Sequence, residues 1–235
     1  MTTVLLIRHG RTAANAGGVL AGWTTGVGLD DHGRDQATRL GERLARVPLA
    51  AVVSSPLDRA LETAAHLVRD RAADVPVHVD NRVGEVRYGD WTGQPLKQLA
   101  KDPLWKVVQA HPSGATFPGD EGESLASMQA RAVSAVREWN RRLGEDAVYA
   151  VVSHGDVIKA LLADALGQHL DSFQRIVVDP ASLSVVRFTA LRPFVERMND
   201  TGGSVDALVP RQKGRRRKKP SSDAAIGGGA GEGTP

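Results

Sequence analysis

The sequence predicts an α/β protein, a three-layer α/β/α sandwich around a mostly parallel central sheet. Continuous apolar runs such as Val4-Leu5-Leu6-Ile7 lack the polar alternation of a half-solvated strand and suit strands covered on both faces. Stretches of helical periodicity alternate with those runs, the pattern of crossover units that place helices on both sides of a sheet. The 235 residues, 41% hydrophobic and 24% charged, suffice for one substantial domain of this class.

The first strand covers 4–7 and stops on Arg8-His9-Gly10. A helix is expected over about 33–46, where Ala37, Leu40, Leu44 and Ala45 form an apolar stripe. Residues 50–54 read as a second buried strand. Its Ser54-Ser55-Pro56 exit leads into a helix over about 57–71, with Pro56 suited to the helix start. The stretch 75–122 is irregular and holds several prolines and glycines, so loops and one short helix near 97–109 are expected. Ser124 is placed to cap a helix in which Leu125, Met128, Ala132, Val136 and Trp139 recur at helical spacing. A strand over 147–153 ends on His154-Gly155, and a helix follows over 156–166. The last strand, 183–189, alternates and is expected at a sheet edge.

Several function classes are excluded at once. The chain has no cysteine, which removes disulfides, thiolate nucleophiles and cysteine-bound metals. No apolar stretch approaches the roughly 18 residues needed to span a bilayer, and no signal-type segment opens the chain, so a cytoplasmic protein is the expectation. The net charge of +3 is unevenly placed: 211–219 (RQKGRRRKK) holds seven basic residues, with Asp223 and Glu232 the only acids beyond it. Of the 30 basic and 27 acidic residues, 23 and 25 then remain in 1–210, a net of −2. Two parts are expected: a domain over 1–209 and a disordered, basic, glycine-rich tail over 210–235, too poor in apolar residues to offset its ordering entropy. Weak polyanion binding by 211–219 is one reading of that tail, and a solvated tail is the plainer one.

In open α/β sheets, ligands bind beyond the carboxyl ends of the strands. His9 and His154 both stand there, and Arg59 lies at the start of the helix after the second strand. One cleft can therefore hold Arg8 and Arg59 as planar donors to phosphate oxygens and His9 as nucleophile.

Four segments, RHGRTAAN, SSPLDRALETA, EVRYGDWTG and VSHGDVIKALL, resemble in order and spacing the signatures of the histidine phosphatase superfamily, also called phosphoglycerate mutase-like. The resemblance covers about 3–190. It implies a phosphoglycerate mutase-like fold and transient phosphorylation of His9, with Arg8, Arg59 and His154 around the phosphoryl group. By the same resemblance Glu85 is the general acid, although Asp80 and Asp90 lie in the same stretch. Asn15 and Thr12 match substrate-binding positions, yet both residue types also serve as turn formers or caps. The other histidines (His32, His66, His78, His111 and His169) show no metal-ligand spacing, and no nucleotide-binding loop is present, so no metal and no cofactor are expected.

The expected activity is hydrolysis of a small phosphomonoester. GDWTG after Glu85 resembles the phosphatase branch, Arg11 stands where glycolytic mutases commonly carry Glu, and 91–123 is short for a mutase insert. The alternatives are a cofactor-dependent phosphoglycerate mutase-type phosphotransferase and a regulatory protein acting through the basic tail. A small phosphorylated substrate is the expected partner. The oligomeric state is left open, a dimer being compatible with the sequence.

Overall fold

The computed structural model describes residues 1–69, 71 and 74–202. The tail expected over 210–235, and the boundary at 209, lie outside the described residues. Six strands form one sheet in the order β3-β2-β4-β1-β5-β6. They are β1 (Thr2–Arg8), β2 (Leu49–Ser54), β3 (Val77–Val79), β4 (Val148–Ser153), β5 (Leu183–Phe188) and β6 (Pro193–Asp200). The pairs β1–β4, β2–β4 and β2–β3 are parallel, and β5 and β6 add antiparallel pairs on the far side of β1. The helices are α1 (Ala13–Ala16), α2 (Asp31–Leu44), α3 (Asp58–Val68), α4 (Leu96–Leu99), α5 (Pro103–Ala110), α6 (Leu125–Leu143) and α7 (Gly155–Ala165).

Strand alternation builds the three layers. Val4 and Leu6 of β1 join Val151 of β4 in one core with α6 and α7, while Leu5 and Ile7 join Val52 and Val152 in a second core with α2 and α3. Successive side chains of a strand point to opposite faces, so an apolar run without alternation serves both cores together. The fold class is as the sequence predicts.

Helix starts follow their capping chemistry. Asp30 accepts from the Gly33 amide and Ser124 from the Ser127 amide, so α2 opens at Asp31 and the expected Ser124 cap is present. Pro56 does not open α3; Leu57 is the cap residue and Asp58 the first helical one. The single helix expected near 97–109 is two, because Asp102 caps a new start with Pro103 in its first turn.

Two strands differ from expectation. β5 is not an edge strand: it lies between β1 and β6, and its Leu183, Val185 and Val186 are buried. β6, which the sequence did not announce, takes the edge and carries Phe194 and Met198 at 44% and 49% exposure. The other edge is β3, three residues long.

The parallel register matters most for function. Arg8 is paired with Ser153 and Ser54 with Val152, so β1, β4 and β2 end level with one another. The His9 amide donates to the Ser153 carbonyl at 3.0 Å and the Ser55 amide to the Val152 carbonyl at 2.9 Å. The residues just past three strand ends are thereby neighbours.

Candidate active site

Arg8, His9, Arg59, Glu85 and His154 meet at this edge, none more than 4% exposed. The His9 and His154 rings lie 5.1 Å apart between centroids, tilted by 59°. His9 and His154, separated by 145 residues in sequence, thus share one site as expected.

His9 is oriented by the turn behind it. Its Nδ1 lies 2.7 Å from the Gly10 carbonyl oxygen. A carbonyl only accepts, so Nδ1 carries the proton and the Nε2 lone pair is exposed to chemistry. That lone pair receives the Arg59 Nε–H at 3.2 Å. Burial, then Arg59 and Arg8, hold the imidazole well below the ordinary histidine value, while the Gly10 hydrogen bond acts the other way. A neutral ring protonated on Nδ1 presents Nε2, held by Arg59, as its basic nitrogen.

The turn itself needs glycine. A Cβ on Gly10 would stand 2.5 Å from the Gly33 carbonyl oxygen, and one on Gly33 would stand 2.0 Å from that of Arg11. Backbone cannot yield as a flexible side chain can, so the N-terminal turn of α2 is seated directly on the segment that carries His9. The Gly10 amide also donates to Thr63 Oγ1 at 3.1 Å, which fixes the turn to α3.

Arg59 occupies the second position of α3, and its Nη2 donates to the Gly22 carbonyl at 2.8 Å. Its Nη1 is buried with no hydrogen-bond partner among the described residues. Arg8 is fully buried and donates through Nη1 to the Val178 carbonyl at 2.8 Å. Two guanidiniums flanking one imidazole form a strongly cationic cluster, suited to a phosphoryl dianion. His154 caps α7, with Nε2 2.7 Å from Ser55 Oγ. Burial first, then Arg59, His9, Arg8 and Arg131, hold its ring neutral as well.

Glu85 resolves the choice among the acids of its loop. Asp80 is engaged by Arg82 and by the Trp139 indole N–H, and Asp90 lies beside the Gly119 backbone. Glu85 alone faces the histidines, with Oε2 3.8 Å from His154 Nδ1. Burial, followed by Asp156, pushes its carboxyl up to about 7, against Arg59, the Val86 amide and Arg8. A carboxyl at that value is protonated and ionised in comparable amounts near neutrality, the condition for an acid that must also act as a base.

The other two expected binding residues play a visible local part. Thr12 and Asn15 form a capping box at the start of α1, with Thr12 Oγ1 accepting the Asn15 amide at 3.2 Å. Thr12 is fully buried and Asn15 half-buried.

Sequence reasoning missed the supports. Arg131 of α6 donates to the carbonyls of Arg82, Gly84 and Glu85 at 2.7–2.9 Å and is itself paired with Glu123. Trp23 donates through Nε1 to the Glu85 carbonyl at 2.7 Å, and the Arg87 guanidinium stacks 4.3 Å above its ring. Arg131 lies outside the apolar stripe of α6, and Trp23 left no periodic signal.

Residues 4–201 match the family model of the histidine phosphatase superfamily, branch 1. The chain belongs to that superfamily. This histidine phosphatase family member is 35% identical to the glucosyl-3-phosphoglycerate phosphatase of Mycolicibacterium vanbaalenii over 178 residues, 72% of this chain and 76% of that protein. It is 29% identical to phosphoserine phosphatase 1 of Hydrogenobacter thermophilus over 204 residues, 86% and 93% of the two chains. Among solved structures, YhfR of Bacillus stearothermophilus superposes with a TM-score of 0.78 at 31% identity, covering 85% of this chain and 98% of that one. Among the described residues of this superfamily member, no helix is long and apolar enough to cross a membrane.

Proposed function

We propose that this histidine phosphatase superfamily member hydrolyses a small phosphomonoester in two steps through a phosphohistidine on His9. The observation that carries the reading is the fixed tautomer of His9: Nδ1 is spent on Gly10, leaving Nε2 beside Arg59, with Glu85 against His154. In the first step Nε2 attacks phosphorus and the ester P–O bond breaks. Glu85 gives its proton to the departing oxygen, while Arg8, Arg59 and the neutral His154 stabilise the spreading negative charge. In the second step the Glu85 carboxylate takes a proton from water and the hydroxide attacks phosphorus. The P–N bond breaks, inorganic phosphate leaves, and His9 and protonated Glu85 are regenerated. Asn15, half-buried at the start of α1, is the residue of the capping pair left to contact the substrate, with Thr12 holding it in place.

Both curated relatives described above are named as phosphatases, and both named substrates are small carboxylate-bearing phosphate compounds, which makes that class the first to test. A panel of phosphorylated metabolites, including 3-phosphoglycerate and its bisphosphate, should yield inorganic phosphate without isomerised product; isomerised phosphoglycerate would establish mutase chemistry instead. We further propose that catalysis resides wholly within 1–209. The family match ends at 201, so truncation after Val209 should leave kcat/KM unchanged and remove any retention on polyanionic resin. Collapse of turnover would place the tail within the catalytic body.

A further inference from the structure

Behind the His9–Glu85 cluster lies a buried charge that the two hydrolytic steps leave unused. Asp156 is fully buried in the first turn of α7, two residues after His154. Its Oδ2 accepts the Tyr88 phenol at 2.9 Å, and its Oδ1 lies 3.7 Å from the Lys159 ammonium. Lys159 is itself 4% exposed and donates to Gln174 Oε1 at 3.1 Å. Tyr88, fully buried, stands three residues after Glu85 on the same segment. The Tyr88–Asp156 hydrogen bond therefore ties the stretch bearing Glu85 to the helix bearing His154.

An apolar corner would close this part of the fold at least as well, since buried ion pairs are often replaceable by packed hydrophobic residues at no cost in stability. What apolar packing would not supply is a fixed negative charge near the Glu85 carboxyl. We propose that Asp156 is a positioning residue for the reaction: paired with Lys159, it anchors the Glu85 segment through Tyr88 and sets a buried carboxylate behind the Glu85 side chain. This inference rests on Glu85 being the acid of the hydrolysis proposed above.

The charges around Glu85 allow that role. Arg8 from β1 and Arg59 from α3 favour its ionised form, His154 and Asp156 face it from α7, and Arg131 of α6 holds its carbonyl. Burial and Asp156 outweigh the two arginines. Asp156 in turn faces Tyr88, Lys159 and Arg8. Removing its charge lowers the pH at which Glu85 loses its proton, and removing Lys159 raises it.

The test uses the full chain and the pH dependence of kcat for β-glycerophosphate, an alkyl ester whose poor leaving group needs the acid. Asp156→Asn should move the alkaline limb to lower pH by roughly one unit. Tyr88→Phe breaks the tether but keeps both carboxylates, so it should lower kcat and leave the limb in place. Lys159→Gln should move the limb the opposite way, which keeps the inference testable if Asp156→Asn does not fold. An unmoved limb in folded Asp156→Asn or Lys159→Gln protein overturns the proposal, as does an equal shift in Tyr88→Phe. Should Glu85 not be the acid, Glu85→Gln would lose its leaving-group dependence; should Asp156 alone be misassigned, Glu85→Gln behaves normally while these limbs stay fixed.

Discussion

Replacing His9 by alanine should lower p-nitrophenyl phosphate turnover by on the order of 10⁴-fold or more while the protein stays folded. The size of the effect follows from the role. p-Nitrophenol leaves readily without an acid, so attack by the nucleophile is the step that the enzyme must supply, and the neighbouring His154 ring is engaged elsewhere. His154 Nε2 lies 2.7 Å from Ser55 Oγ, and its Nδ1 lies 3.8 Å from Glu85 Oε2. The fold tolerates the change because the backbone pairing of His9 with Ser153 does not involve the ring. Steady-state kinetics with a circular dichroism control decide the matter. Wild-type-like turnover in folded His9→Ala would remove the nucleophile assignment.

Glu85→Gln should slow β-glycerophosphate hydrolysis by roughly 10²–10⁴-fold, and p-nitrophenyl phosphate consumption through its first step far less. Glutamine keeps the shape and can still accept the Val86 amide that Glu85 Oε1 accepts at 3.0 Å, but it has no proton to give. The wild-type pH profile should carry the same signature. With the Glu85 carboxyl near 7, the protonated acid is abundant below that value and scarce above it, so alkyl-ester turnover falls as pH rises through neutrality. Turnover limited by the second step, which needs the carboxylate as base, should fall on the acid side instead. Stopped-flow burst amplitudes separate the two steps. An equal loss for both esters in Glu85→Gln would argue for a merely structural carboxylate.

Much of this site was legible because its chemistry sits at strand ends. An uninterrupted apolar run followed by His-Gly announces where a buried strand stops, and level parallel strands then bring such ends together without any long-range information. The five charged or imidazole side chains at the centre could be placed this way or by their motif. The supports could not. Arg131 and Trp23 act on backbone carbonyls of the Glu85 segment, and a carbonyl acceptor leaves no trace in a sequence. In the sequence Asp156 is an ordinary first-turn acid of a helix, and its burial and its contacts with Tyr88 and Lys159 show only in the structure. The errors in the sheet have similar causes. β6 opens on proline and carries Glu196, Asn199 and Asp200, residues that disfavour strands, and it forms because β5 offers an antiparallel partner. Once it pairs there, β5 is interior rather than an edge. β3 is too short to show any periodicity.

The phosphoryl-enzyme itself tests the account most directly. Rapid acid-free quenching of full-length enzyme mixed with p-nitrophenyl phosphate, followed by ³¹P NMR and peptide mass spectrometry, should place one phosphoryl group on Nε2 of His9. His9→Ala protein should carry none. A phosphoryl group on His154 or on Nδ1 of His9, or steady turnover with no trapped phosphohistidine even when Glu85→Gln slows its hydrolysis, would contradict the account.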